Sequence, residues 1–157
     1  MKLRPLPLLA LALSAFLAWG LDTSGPALAA DRLSVSMSRG GEQELVIDAG
    51  PAYAGKKYIV VGSASGAFPG TLQGGVRVPI NYDSYTELLL LNLHTPAYSG
   101  FDGYLDTQGR AKAKLRLPGT TSTTLVGTVY HHAAVILGGK DQSVQAATNA
   151  VEVLLLP

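Results

Sequence analysis

The chain has 157 residues, with 12 Lys or Arg, 11 Asp or Glu, three histidines and no cysteine. That length suits one domain able to bury roughly two-thirds of its unfolded surface. Without cysteine, packing and strand pairing must hold the fold alone, and a lipoprotein-type acyl anchor is excluded.

Residues 1–29 read as an export signal. Lys2 and Arg4 form a positive start, Leu6 to Leu21 an apolar stretch, and Ala27-Leu28-Ala29 a small-residue cleavage motif. The apolar stretch is too short and too early for a membrane span. Cleavage after Ala29 is expected, leaving a single domain over 30–157 that is exported, secreted or periplasmic, and not an integral membrane protein after processing. The cut removes Lys2, Arg4 and Asp22, leaving ten basic and ten acidic residues. A neutral mature chain argues against nucleic acid as a partner, because phosphate binding needs a clear cationic excess.

Period-two patterns dominate the mature region, and no stretch carries a sustained helical stripe. Strands are predicted over Leu33–Met37, 42–47 (Glu42, Glu44 and Val46 alternating with Gln43, Leu45 and Ile47), Lys57–Gly62, Val76–Asn81, Tyr85–His94, Arg110–Leu117, Thr124–Leu137 and Ala150–Leu156. Arg110–Leu117 is the clearest, with four cations on one face and Ala111, Ala113, Leu115 and Leu117 on the other. The segment 105–110 (LDTQGR) fits a type I turn followed by a left-handed residue. Asp106 accepts local hydrogen bonds, Gly109 takes the positive φ, and the turn is expected to join two antiparallel strands. The fold expected is all-β, an antiparallel sandwich of about eight strands, Ig-like in broad architecture. A transmembrane barrel is disfavoured, because the aromatics fall in or beside turns and form no paired girdles.

The segments DAGPAYAG at 48–55, YIVVGSASG at 58–66, LDTQGRA at 105–111, YHHAAV at 130–135 and TNAV at 148–151 together resemble an exported all-β domain common in planctomycetes and myxobacteria. In that family the domain stands alone behind a signal peptide or closes larger secreted proteins. The resemblance spans nearly the whole mature chain. It implies export and an all-β fold, and carries over no catalytic residue.

Chemistry-bearing residues are few. His131 and His132 are adjacent, and successive strand residues point to opposite faces, so the pair is ill placed to share a metal. One imidazole is expected at the core edge, bonded to a backbone carbonyl, and the other facing a neighbouring strand. No G-x-S-x-G elbow presents a serine, and no carboxylate pair stands in a setting for glycoside hydrolysis. Asp102 and Asp106 lack the alternating calcium-loop pattern. No catalytic, metal or cofactor site is predicted. Two surfaces remain as contact candidates. Tyr98, Phe101 and Tyr104 are three aromatics in a Gly- and Ser-rich loop, suited to stacking on cell-envelope polysaccharide or a protein partner. Arg110, Lys112, Lys114 and Arg116 form an electrostatic face, with the alternative that they protect a solvated strand by facing Glu42 and Glu44. The functional expectation is an exported, non-catalytic module for binding or structural roles. The runner-up is a secreted hydrolase.

Overall fold

A computed structural model describes residues 25–157. The expected signal up to residue 24 lies outside the described residues, whereas Ala27-Leu28-Ala29 lies inside them. In chain order the elements are β1 (Ala27–Ala30), β2 (Ser34–Ser36), β3 (Gly41–Asp48), a 3-10 turn at Pro51–Tyr53, β4 (Lys57–Ser63), β5 (Thr71–Gln73), β6 (Val76–Val78), α1 (Ser84–Leu91), β7 (Tyr98–Ser99), β8 (Asp102–Tyr104), β9 (Arg110–Leu117), β10 (Val129–Gly138), β11 (Ser143–Ala147) and β12 (Val151–Leu156). The domain is an all-β sandwich. One sheet runs β1-β3-β9-β7, the other β2-β12-β10-β4-β8 with β11 paired to β10, and β5-β6 form a separate hairpin.

Alternation explains the packing between the sheets. From β3, Leu45 and Ile47 turn inward; from β9, Ala113 and Leu115; from β4, Tyr58 and Val60; from β10, Ala134 and Ile136; from β12, Val153 and Leu155. Gln43 is the polar exception on that face. It is fully buried, and its amide donates to the carbonyls of Arg32 (2.7 Å) and Glu152 (3.0 Å), tying the β3 face to the segment between β1 and β2 and to β12. β9 follows the expected range, paired with β3 over all eight residues, from Gly41 opposite Leu117 to Asp48 opposite Arg110.

β10 is buried on both faces. Ala133, Val135 and Leu137 point away from the sandwich and build a second apolar cluster with Val78 and Ile80, flanked by Ile59, Val61, Val144 and Ala147. That second layer accounts for the unbroken apolar run at 133–137, since a strand covered on both sides has no polar face to alternate with.

Three expectations are corrected. The strand predicted at Tyr85–His94 is the helix α1, started by Asp83 with a reciprocal capping box to Thr86; its leucines favour helix over the β-branched residues that strands prefer. The antiparallel sandwich expected is present, with one parallel pair, β2 on β12. Twelve strands occur among the described residues instead of about eight, since the Gly- and Pro-punctuated regions add short ones. The 105–110 turn forms as expected, with Gly109 at φ +74° and Asp106 Oδ1 accepting from the amides of Gln108 (2.8 Å) and Arg110 (2.9 Å). It links β8 to β9, however, and these belong to different sheets, so it is a sandwich corner and not a hairpin. The boundary expected between residues 29 and 30 falls inside β1.

Candidate functional site

His132 lies on the inner face of β10 and is fully buried. Its Nε2 shares a hydrogen bond of 2.9 Å with the Tyr85 hydroxyl from α1, and Phe101 and Tyr85 present ring edges to it at centroid distances of 5.7 Å and 5.8 Å. Nδ1 has no partner within the protein. Burial, reinforced by His131 alongside, lowers the imidazole pKa to about 3, so the ring is neutral. Burial also raises the Tyr85 hydroxyl far above its ordinary range, with Tyr98 adding to the effect. A neutral ring enclosed by aromatics is a packing element. Its partner is a tyrosine and not the backbone carbonyl expected. His131 points to the opposite face, opposite Glu152 in register and 3.9 Å from its carboxylate. The two imidazoles straddle the strand, as alternation requires.

The aromatic-loop expectation is corrected in part. Phe101 is 0% exposed and Tyr98 8%, and their rings meet edge-on at 5.2 Å inside the core. Only Tyr104, at 72%, faces solvent. A covered ring cannot stack on a ligand. The Gly and Ser spacing lets the chain bend so that both rings turn into the core, with Tyr98 opposite Leu115 in register.

The cationic face is matched carboxylate by carboxylate. Arg110 meets Asp48 at 2.9 Å, Lys112 meets Glu44 at 2.8 Å, and Lys114 (3.6 Å) and Arg116 share Glu42. Four cations against three anions leave one net charge, far from the excess that holds a polyanion. Hydrogen bonding from Arg116 keeps the Glu42 carboxyl below its ordinary range, and donation to Glu44 raises the Lys112 ammonium.

His94 Nδ1 stands 3.6 Å from Asp102 Oδ1, and Ser99 lines the same shallow cleft. The residue types are those of a hydrolytic triad, but the His94 side chain is 85% exposed and its distance to the carboxylate is too long for an orienting hydrogen bond. No group of three or more His, Cys, Asp or Glu suited to a metal occurs among the described residues.

A different concavity emerges where sequence pattern placed no site. It lies over the outer face of the β4-β10-β11 sheet and has a volume of about 220 Å³. Its floor is Ile59 and Val61 of β4, Val135 and Leu137 of β10, and Val144 of β11. Its walls are Val78, Ile80 and Leu90, with Thr71, Gln73, Tyr82 and Thr86 at polar positions. Three of these polar groups are committed elsewhere, the Tyr82 hydroxyl donating to Glu87 (3.3 Å). Thr71 Oγ1 donates to the Ile80 carbonyl (2.7 Å) and Thr86 Oγ1 to the Gly62 carbonyl (2.6 Å). The hairpin and helix that wall the pocket also expose Leu72, Leu88 and Leu91, and Phe68 is exposed in the loop leading to β5.

Asp83 holds this end of the molecule together. Its Oδ2 accepts from the hydroxyls of Ser63 (2.9 Å) and Ser65 (2.8 Å) and from the amides of Ala64 (2.8 Å) and Ser65 (2.8 Å), while Oδ1 accepts from the Thr86 amide (3.0 Å). Burial opposes the charge, but donation by Ser65, Thr86 and Ser63 outweighs it and holds the carboxyl well below the ordinary range. One side chain thus caps α1 and anchors the loop after β4, fixing the pocket wall.

No family model and no curated protein sequence matches the chain.

Proposed function

We propose that the protein is an exported, non-catalytic binding module, and that its contact surface is the apolar pocket with the hairpin and helix around it. The observation carrying this reading is a preformed concavity of about 220 Å³ walled by aliphatic side chains from β4, β6, α1, β10 and β11. A concave, largely apolar surface marks a recognition site more often than a solvated face does. The occupant fitting these walls is an apolar side chain of a protein partner, seated as an anchor residue in a desolvated pocket. Polysaccharide fits less well, because Tyr98 and Phe101 are covered and leave Tyr104 as the single open ring of that loop. A broadly Ig-like architecture is part of the same reading. It is supported by β1-β3-β9 lying in one sheet, by β12-β10-β4-β8 in the other, and by β2 running parallel to the last strand.

Methyl NMR titration with a leucine-containing peptide tests the site. Shifts are expected at Val61, Val78, Val135 and Val144 and are lost in Leu90→Lys, whose side chain is partly exposed, so that the fold survives. Absent or scattered shifts would remove the pocket as the contact surface. The hydrolase reading draws on His94, Asp102 and Ser99 and predicts esterase turnover abolished by His94→Ala.

A further inference from the structure

Resting on the proposal of export, we infer that the signal is cut upstream of Gly25, leaving β1 whole in the mature protein, and not at the Ala27-Leu28-Ala29 motif. β1 is built into the domain. Ala27, Leu28 and Ala29 pair with Asp48, Ile47 and Val46 of β3, and Leu28 is 4% exposed, within the core between the sheets. The Leu28 amide donates to Asn149 Oδ1 at 2.9 Å, and Asn149 Nδ2 donates back to the Leu28 carbonyl at 2.9 Å. This reciprocal pair fastens the first sheet to the segment that enters β12 in the second.

A cut after Ala29 would delete three of the four register pairs of β1, empty the Leu28 site and leave both polar ends of the Asn149 amide without Leu28. It would also convert β3 from an internal strand into an unprotected edge. A domain without disulfides has little to offset such losses. The small-x-small pattern that cleavage requires recurs at Ala18-Trp19-Gly20, at the C-terminal end of the apolar stretch. A cut there leaves Leu21 as the first residue and β1 intact. Thr23-Ser24-Gly25 also has small outer positions, but it is followed by Pro26, whose tertiary amide would be the scissile bond.

The test is the N-terminal sequence of full-length precursor expressed in a Gram-negative host and recovered from the periplasm or medium. A start at Leu21 is expected. A start at Ala30 would overturn the inference, as would Met1 in an exported fraction. Protein confined to the cytoplasm with Met1 intact would fail the export reading itself, and the cut with it. A second measurement reads the structural premise alone. Chains beginning at Leu21 and at Ala30 are purified and melted, and the shorter one is expected to melt about 10 °C lower, the loss of a buried leucine in a domain of this size. Equal melting temperatures would remove the reason for moving the cut.

Discussion

His132 has consequences for stability that arise from its burial alone. Its folded pKa of about 3 lies below the ordinary value of 6.5. Between those values the unfolded chain binds a proton that the folded chain refuses. The contribution is therefore complete above pH 6.5 and is lost as pH falls through the window, at up to about 1.4 kcal/mol per pH unit. Asp83, whose carboxyl is depressed, adds a second loss below its ordinary value of 3.8, in the same direction. Urea melts across pH 4 to 8 should show stability falling on the acid side from pH 6.5. His132→Gln retains an acceptor for the Tyr85 hydroxyl and should flatten that slope above pH 4. An unchanged slope would mean that another group titrates there. The different fates of the two histidines are implied by their adjacency, since alternation sends one inward. Nothing in the local pattern marks Tyr85 as the inward partner, because it comes from the helix that period-two reading assigns to a strand.

At the scale of elements, legibility tracks how a strand is covered. β9 is wet on one face, so its four cations and four apolar residues spell out its range and its inner side. α1 is hidden because its leucines at 88–91 are consecutive and show no 3.6-residue stripe. Only Asp83 with Thr86 three positions on marks its start. The β5-β6 hairpin carries a readable sign in Gly74-Gly75, a two-residue turn with φ of +56° and +84° between the paired Gln73 and Val76. The pocket is illegible in the sequence, because it is made by separated segments meeting over one sheet. Tyr98 and Phe101 resemble a contact loop for a related reason: aromatic spacing says nothing about which side of a loop the core occupies. The β3-β9 ladder makes a prediction at this scale. The wild-type protein should pass an anionic resin without retention at low salt. Glu42→Lys with Glu44→Lys removes the matching carboxylates, and that variant should be retained and then released near 0.15 M salt, where exposed charges are screened over about 8 Å. Retention of the wild type would show that the cations act despite their partners.

Across the whole molecule, β10 separates two apolar layers of different purpose. Ile136 is 0% exposed and faces the space between the sheets, while its neighbour Val135 faces outward toward the pocket. The inner layer holds both sheets together, so a void there cannot be closed without moving strands. Ile136→Ala should cost about 4 kcal/mol, the loss of the side chain plus the cavity it leaves. The outer layer borders a concavity that is already open, so Val135→Ala enlarges an existing space and creates no new enclosed one. Its cost should be about 1–2 kcal/mol, near the simple transfer of the lost methyl groups. The two variants should separate further in ligand response. Val135→Ala should alter the affinity of the leucine-containing peptide while the fold persists, whereas Ile136→Ala should leave that affinity unchanged wherever the protein remains folded. Urea unfolding paired with the peptide titration measures both. Equal destabilisation by the two substitutions, with no change in peptide affinity for Val135→Ala, would mean that the outer layer is ordinary core and that binding must be sought elsewhere on the surface.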